Sequence, residues 1–287
     1  MGALIETSFR YKTVVFLFLF LLFGAISAFA AGGYEINERT RIYSEDISAD
    51  SVLLKMDNDL SVPVSVKLVL DLINIQDNGT STVSAVIPAK ASGYTIARFK
   101  KGFAAKPHNL NYTWKIVLGD VTKTADPAYA YSFPFLKESN YKITQGPGGT
   151  FSHQGMFAYD FQMPMRTPVV AARDGIVALI KTDSSLGGAD KSYIDDANFI
   201  SVYHEDGSIA NYFHLSQNGA AVKEGQRIKK GDIIGYSGNT GFTSGPHLHF
   251  EVVQPNLNTE KNMLVRFNWE PLAPNGEPIS VLNLAAH

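Results

Sequence analysis

Four histidines and one aspartate in the C-terminal half are of the types that metal-assisted hydrolysis uses. His153 and Asp160 lie in "SHQGMFAYDF", His214 in "NYFHL", and His247 and His249 in "PHLHFEV". Successive side chains of a strand point to opposite faces. His247 and His249 therefore share one face, and Leu248 and Phe250 share the other, toward a core. A mononuclear zinc site for hydrolysis takes three nitrogen or oxygen ligands and keeps one position open. The metal lowers the pKa of water and polarises a carbonyl. Two histidines and a carboxylate satisfy that ligand set, and the two remaining imidazoles can act as general base or stabilise an oxyanion. The same set also serves non-haem iron oxygenases, so residue types alone leave the reaction open.

The segments that must position these residues read as strands. "TPVVAARDGIVALI", "FISVYHEDG", "SIANYFHL", "QRIKKGDIIGYSG" and "HLHFEVV" are joined by the turn signals "EDGS", "KKGD" and "GNTG", without helical periodicity. His204 precedes "EDGS" and is expected to face solvent. "QGPGGTFSH", residues 145–153, is glycine-rich but does not match a phosphate loop, which excludes nucleotide binding on that ground. Its glycines suit a tight turn or a close approach of backbone to substrate. "DKSYIDDANF", residues 190–199, is polar and reads as a mobile loop near the site.

Upstream, "SVPVSVKLVLDL", "STVSAVIPA", "YTIARFKKG" and "YTWKIVLG" predict a small β-sandwich. No metal-ligand cluster is present there, and His108 reads as an exposed loop residue. Its aromatics Tyr94, Phe99, Phe103, Tyr112 and Trp114 suit packing better than a binding surface. "TKTADPAYAYSFPF" reads as a linker, and the C-terminal tail as extended wrapping with little regular structure.

Composition narrows the classes. The chain has 287 residues, no cysteine and a net charge of −2. Disulfides, thiolate ligands, a cysteine nucleophile and a lipid-anchored cysteine are excluded, and no basic excess points to nucleic acid. Near the N-terminus, Arg10 and Lys12 precede an apolar run, and Ala28-Phe29-Ala30 fits a small-x-small cleavage pattern with Ala31 as the new first residue. This is the pattern of a secretory signal. The run from Val14 to Phe29 is about 16 residues, short of the ~20 of a spanning helix. Export to a periplasm or the exterior is expected, with no stable membrane span after cleavage.

"SHQGMFAYDFQMPMRTPVVAARDGIV", "NYFHL" and "VKEGQRIKKGDIIGYSGNTGFTSGPHLHFEV" resemble the lysostaphin/LytM-type zinc metallopeptidases, which cut peptide cross-links in bacterial peptidoglycan. The resemblance covers about residues 145–254. It implies an antiparallel β metallopeptidase core with a substrate groove, so that with the small N-terminal β-sandwich read from the strand pattern the whole chain is expected to be all-β. It implies Zn2+ held by His153, Asp160 and His249, with His214 and His247 flanking the water and the substrate carbonyl. It also implies peptidoglycan stem peptides as partners.

The family's common H-x-x-x-D spacing is departed from. Six residues separate His153 from Asp160, read as a loop insertion. Asp174 is the rival carboxylate, but "RDG" reads as a turn whose aspartate bonds its own backbone. Glu251 shares the face of His249 and is a candidate partner for it. Asn239, Thr240 and Ser244 in the glycine-rich loop, and Tyr212 two residues before His214, are candidates for contacting substrate.

The expected organisation is a signal at 1–30, the N-terminal domain at 31–125, a linker at 126–144, the peptidase domain at 145–254 and an extension at 255–287. The leading expectation is a zinc endopeptidase acting on peptidoglycan. The alternative is a non-catalytic envelope protein that binds peptidoglycan or activates a cell-wall amidase, whose mark would be a lost ligand.

Overall fold

The computed structural model describes residues 36–76, 81–103, 106–258, 261–263 and 265–267. The expected signal, residues 1–30, lies outside the described residues. No helix among them is long and apolar enough to cross a membrane.

Seven strands form the described N-terminal unit: β1 (Thr40–Ser48), β2 (Ser51–Asn58), β3 (Val64–Ile73), β4 (Ile75–Gln76), β5 (Thr82–Ile87), β6 (Ala91–Lys101) and β7 (Asn109–Leu118). They build a four-stranded sheet in the order β1-β2-β6-β4 and a three-stranded sheet in the order β5-β3-β7. The alternating pattern decides which side faces in. Val52, Leu54 and Met56 of β2 and Val64, Val66 and Leu68 of β3 are buried in one apolar cluster shared by both sheets, while Val69 of β3 points outward. Phe99 joins that cluster, and the Tyr112 hydroxyl donates to the Ile42 carbonyl at 2.9 Å. Phe103 and Trp114 remain exposed.

The second unit continues with β8 (Ala130–Tyr131), β9 (Ile143–Gln145), β10 (Ala158–Phe161), β11 (Pro168–Val170), β12 (Gly175–Lys181) and β13 (Gly187–Gly188). A 3-10 helix (Lys191–Asp196) precedes β14 (Phe199–Tyr203), β15 (Ile209–Phe213), β16 (Leu215–Ala220), β17 (Arg227–Ile228) and β18 (Ile233–Ser237). Last come β19 (Gly241–Phe242), β20 (Leu248–Gln254), β21 (Lys261–Met263) and β22 (Arg266–Phe267). The main sheet runs β17-β12-β14-β15-β20-β10-β9, with β21 also on β20. Its pairings are antiparallel.

The strands β14 and β15 are buried at every residue. That requires cover on both faces. One face carries Ile200, Val202, Ala210, Tyr212, Leu248, Phe250 and Val252 into a core of the second unit. The other carries Phe199, Tyr203, Ile209, Phe213 and Val253 into the cluster of the N-terminal unit. The two units meet closely at Gly119, whose φ is +90°. A Cβ there would stand 3.0 Å from Pro255 and 3.2 Å from Tyr203.

Two expectations change here. The stretch 126–144 is not a plain linker. Tyr131, Phe133 and Phe135 are buried in the second core, and β8 pairs in parallel with β22. Their aromatic surface makes the reason clear, since it gains more from burial than a loop would from solvent. The described start of the tail is also more regular than expected, because β21 extends β20 as a ladder over Val252–Gln254, while residues 268–287 lie outside the described residues.

Candidate metal centre

Antiparallel register sets the site. Asp160 of β10 lies directly opposite His249 of β20, and on its other side opposite Gln145 of β9. Cross-strand neighbours on one face are close enough to interact, so Gln145, Asp160 and His249 form a row. His153 reaches it from the loop ahead of β10. The Nε2 of His153 stands 3.2 Å from Nδ1 of His249 and 3.2 Å from Oδ1 of Asp160, and that oxygen is 3.0 Å from Nδ1 of His249. All three side chains are buried.

The neighbours of the rings assign their protons. The Nδ1 of His153 faces the Gly146 carbonyl at 3.1 Å. A carbonyl only accepts, so Nδ1 carries the proton and Nε2 is a bare lone pair in the neutral ring. The Nε2 of His249 makes no hydrogen bond and stands 3.8 Å from a Glu251 carboxylate oxygen, and its Nδ1 turns to Asp160 Oδ1. Two imidazole nitrogens and a carboxylate oxygen thus converge on one point, each an atom type that ligates a metal once the rings give up their shared protons. Ligands of tetrahedral zinc with bonds of about 2.0–2.1 Å stand roughly 3.3 Å apart. The donor set and its spacing fit a zinc-sized cation.

Without a cation, the carboxylate and the imidazoles must share protons. Burial alone would raise the pKa of Asp160, but hydrogen bonds from His153 and His249 outweigh it and hold the carboxyl far below the usual range. Burial works against charge on His249, yet Asp160 and Glu251 together raise it to about 10. The site holds anionic charge that favours a positive guest.

His214 and His247 stand beside this trio, with ring centroids 4.5 Å apart. The Nδ1 of His214 is 2.7 Å from the Thr240 carbonyl, and that of His247 is 2.8 Å from the Gly245 carbonyl. In the neutral rings both protons sit on Nδ1, leaving Nε2 to accept. Burial pushes His214 down to about 3, with help from the neighbouring His247 and His249, and burial also lowers His247. The His214 backbone has φ +62°, in the left-handed region, where few side chains other than asparagine, aspartate and histidine are found.

A groove of about 280 Å³ opens over these groups. Thr144, Phe151 and Ser152 line one side, and Phe242 to His247 the other. The aromatic pair Phe151–Phe242 is stacked at 6.2 Å. Ser244 lines the groove. The segment 183–197 backs the Phe242 wall. Its β13 pairs in parallel with β19, and the 3-10 helix is capped by Asp190, whose carboxylate accepts from the Ser192 N–H.

Other candidates stand elsewhere. Tyr212 does not line the groove. It is fully buried on the opposite face of the sheet, against Phe250, and its hydroxyl accepts the Ala172 N–H at 2.9 Å. The left-handed residue at 214 breaks strand parity, so the two side chains do not share a face. Thr240 is buried too. Its hydroxyl donates to the Leu215 carbonyl and accepts the Asn198 N–H, while its own carbonyl holds His214. These bonds brace the loop. Asn239 is half-buried and accepts from the Thr243 hydroxyl at 3.0 Å. Asp174 is exposed and paired with Lys229 at 2.8 Å. His204 does not face solvent. It is fully buried, its ring edge-on to Tyr131, with Nδ1 donating to the Asp174 carbonyl at 2.8 Å.

Glu251 is fully buried rather than solvated, and its Oε1 accepts from Asn211 at 3.1 Å, which in turn accepts from Ser201 at 2.7 Å. Gln145 was missed by sequence reasoning. Its amide touches Asp160 and the loop before His153, and only the strand register between β9 and β10 could have revealed it.

Comparison with known proteins gives matching results. Residues 152–263 match the model of Peptidase family M23. An uncharacterized metalloprotease of Buchnera aphidicola is 33% identical over 148 residues, 49% of this chain and 35% of that protein. The peptidoglycan DD-endopeptidase ShyA of Vibrio cholerae is 37% identical over 94 residues, 33% of this chain and 19% of that protein. The chain thus spans about a third and a fifth of the length of these two relatives. Among solved structures, the catalytic domain of lysostaphin from Staphylococcus simulans is 32% identical, covering 45% of this chain and 88% of that one, with a TM-score of 0.32.

Proposed function

Residues 152–263 belong to peptidase family M23, and from that premise we propose that the protein is a zinc-dependent endopeptidase that hydrolyses peptide cross-links of bacterial peptidoglycan. The observation that carries the proposal is the convergence of two buried imidazole nitrogens and a carboxylate oxygen within 3.2 Å of one another, beside two imidazoles that open on a groove. His153 Nε2, Asp160 Oδ1 and His249 Nδ1 would hold the zinc. Bound zinc supplies Lewis acidity and a nucleophile at neutral pH.

The chain's own groups do the rest. The Nε2 atoms of His214 and His247 start as acceptors, so one of them takes the proton of the attacking water. The resulting imidazolium then donates to the departing amine. Because burial keeps both rings neutral at pH 7, the accepting form is the one present. The Thr240 and Gly245 carbonyls keep each ring in that tautomer. The groove walls hold an extended peptide over these nitrogens.

The name of ShyA supports a cell-wall substrate and a D,D-type bond. Export to a periplasm or the exterior belongs to the same proposal and rests on the apolar, small-residue N-terminal segment. The non-catalytic alternative calls for a lost ligand or imidazole, and all five side chains stand at one locus.

The decisive experiment is digestion of purified, cross-linked peptidoglycan by the chain from Ala31, with and without zinc, read by mass spectrometry. Zinc-dependent loss of cross-linked dimers is expected, with His249→Ala reduced by about 10³-fold or more, since it removes a ligand. Cleavage of D,D-linked but not glycine-bridged dimers would set the bond. Intact dimers of every bridge type in the presence of stoichiometric zinc would overturn the endopeptidase.

A further inference from the structure

We propose that Gln145 is a positioning residue that sets the metal affinity of the site by tying Asp160 to the loop that delivers His153. The inference rests on the zinc reading above and adds a residue to it.

One side chain makes four hydrogen bonds. Its Nε2 donates to Oδ2 of Asp160 at 2.9 Å and to the Ser152 hydroxyl at 2.8 Å. Its Oε1 accepts the backbone N–H of Phe151 and of Ser152, each at 3.0 Å. The partners themselves fix the orientation of the amide, because two N–H donors face one end and a carboxylate faces the other. Both protons of the amide nitrogen are used, and both lone pairs of its oxygen.

The chemistry explains why an amide stands here. A ligating carboxylate is steered by what holds its second oxygen. Asp160 presents Oδ1 to the two histidines, and Gln145 holds Oδ2. A glutamate at 145 could accept from the loop but could not donate to Asp160. A lysine could donate but could not accept from the loop. Only an uncharged amide does both without adding charge to the site.

The need arises from the spacing of the ligands. Six residues lie between His153 and Asp160, so no short turn fixes one relative to the other. The end of β9 performs that task. Gln145 grips Asp160 and residues 151–152, and the next residue, Gly146, offers its carbonyl to Nδ1 of His153. The loop closes tightly over the amide stem. A Cβ on Gly149 would collide with Cγ of Gln145, so this position needs glycine. The same grip places Phe151 and Ser152, which form one wall of the groove.

The test compares wild type with Gln145→Glu and Gln145→Ala, using Zn2+ affinity by chelator competition, the visible spectrum of the Co2+-loaded proteins, and thermal unfolding of the metal-free proteins. Gln145→Glu keeps the acceptor for the loop and loses the donor to Asp160. It is expected to weaken Zn2+ binding about 10- to 100-fold, to alter the Co2+ spectrum, and to leave the KM for wall fragments close to wild type. Gln145→Ala frees both ends, so it should weaken Zn2+ at least as much and raise KM as well. Zn2+ affinities within about twofold of wild type in both variants would overturn the proposal, even if their metal-free stability falls. A wild-type protein that takes up no Zn2+ would overturn it together with the metal reading. The readout is independent of what is cleaved, so a protein that binds Zn2+ but cuts no wall fails the endopeptidase reading alone.

Discussion

The two faces of the main sheet are built on opposite rules. On one, Tyr212, Phe250, Ile200 and Val202 join a core cluster of apolar side chains. On the other, rows of different chemistry lie side by side. Phe199 and Phe213 lead along one row to His249, Asp160 and Gln145. The next row is Ser201, Asn211 and Glu251, all buried and hydrogen-bonded in series. The row beyond is Tyr203, Ile209 and Val253, packed under the N-terminal unit. The first face stabilises the fold without specifying a reaction. The second holds its buried polar groups in a hydrogen-bonded row, Ser201 to Asn211 to Glu251, beside the metal-ligand cluster.

Adjacent residues of β20 test that division most sharply. Phe250 is fully buried on the apolar face, and His249 lies on the other. Phe250→Ala should lower unfolding stability by about 3–5 kcal/mol through lost burial and an unfilled cavity, while the molecules that remain folded keep one zinc each and wild-type turnover. His249→Ala should do the reverse. Denaturant unfolding and zinc stoichiometry on the two variants would decide. Loss of zinc from folded Phe250→Ala protein would mean that the faces are not separable.

The next effect is acid-dependent and belongs to the apolar side, where His204 is enclosed against Tyr131. Burial lowers its pKa from 6.5 to about 4. Above that ordinary value the ring is neutral in both folded and unfolded chains. Between 6.5 and about 4 the unfolded chain takes up a proton that the folded one refuses, so stability falls as pH falls. The full loss, reached below the folded-state pKa, is about 3 kcal/mol at ~1.4 kcal/mol per pKa unit. His204→Asn retains a donor for the Asp174 carbonyl but cannot titrate. Its stability, compared with wild type by urea melts from neutral pH down to about 4, should fall less by that amount. Equal slopes would place the acid sensitivity elsewhere.

These tests also mark what the sequence made legible. The five polar residues of the site could be collected from their types, because histidines in apolar strand settings have few structural reasons to be there. Alternation correctly assigned Leu248 and Phe250 to a core. Alternation failed where the strand itself stops: the +62° φ of His214 turns its ring to the site while Tyr212 stays on the opposite face. His204 failed for another reason. Its turn exists, with the Gly207 N–H bonded to the His204 carbonyl at 3.1 Å, but the ring is covered by Tyr131 from a stretch far earlier in the chain. The role of residues 130–135 likewise depends on the distant β22. Such long-range packing leaves no periodic trace in the chain.

The smallest effect concerns the residue that the broken parity misplaced. Tyr212→Phe keeps the ring in its apolar setting and removes only the oxygen that accepts the Ala172 N–H. A buried amide is left without that partner, which costs roughly 1–2 kcal/mol. Nothing in the groove changes, so kcat and KM for wall fragments should match wild type. A several-fold rise in KM with unaltered stability would return Tyr212 to the substrate side. It would also mean that the apolar face communicates with the groove through the sheet, since the hydroxyl itself lies on the far side of β15 from His249.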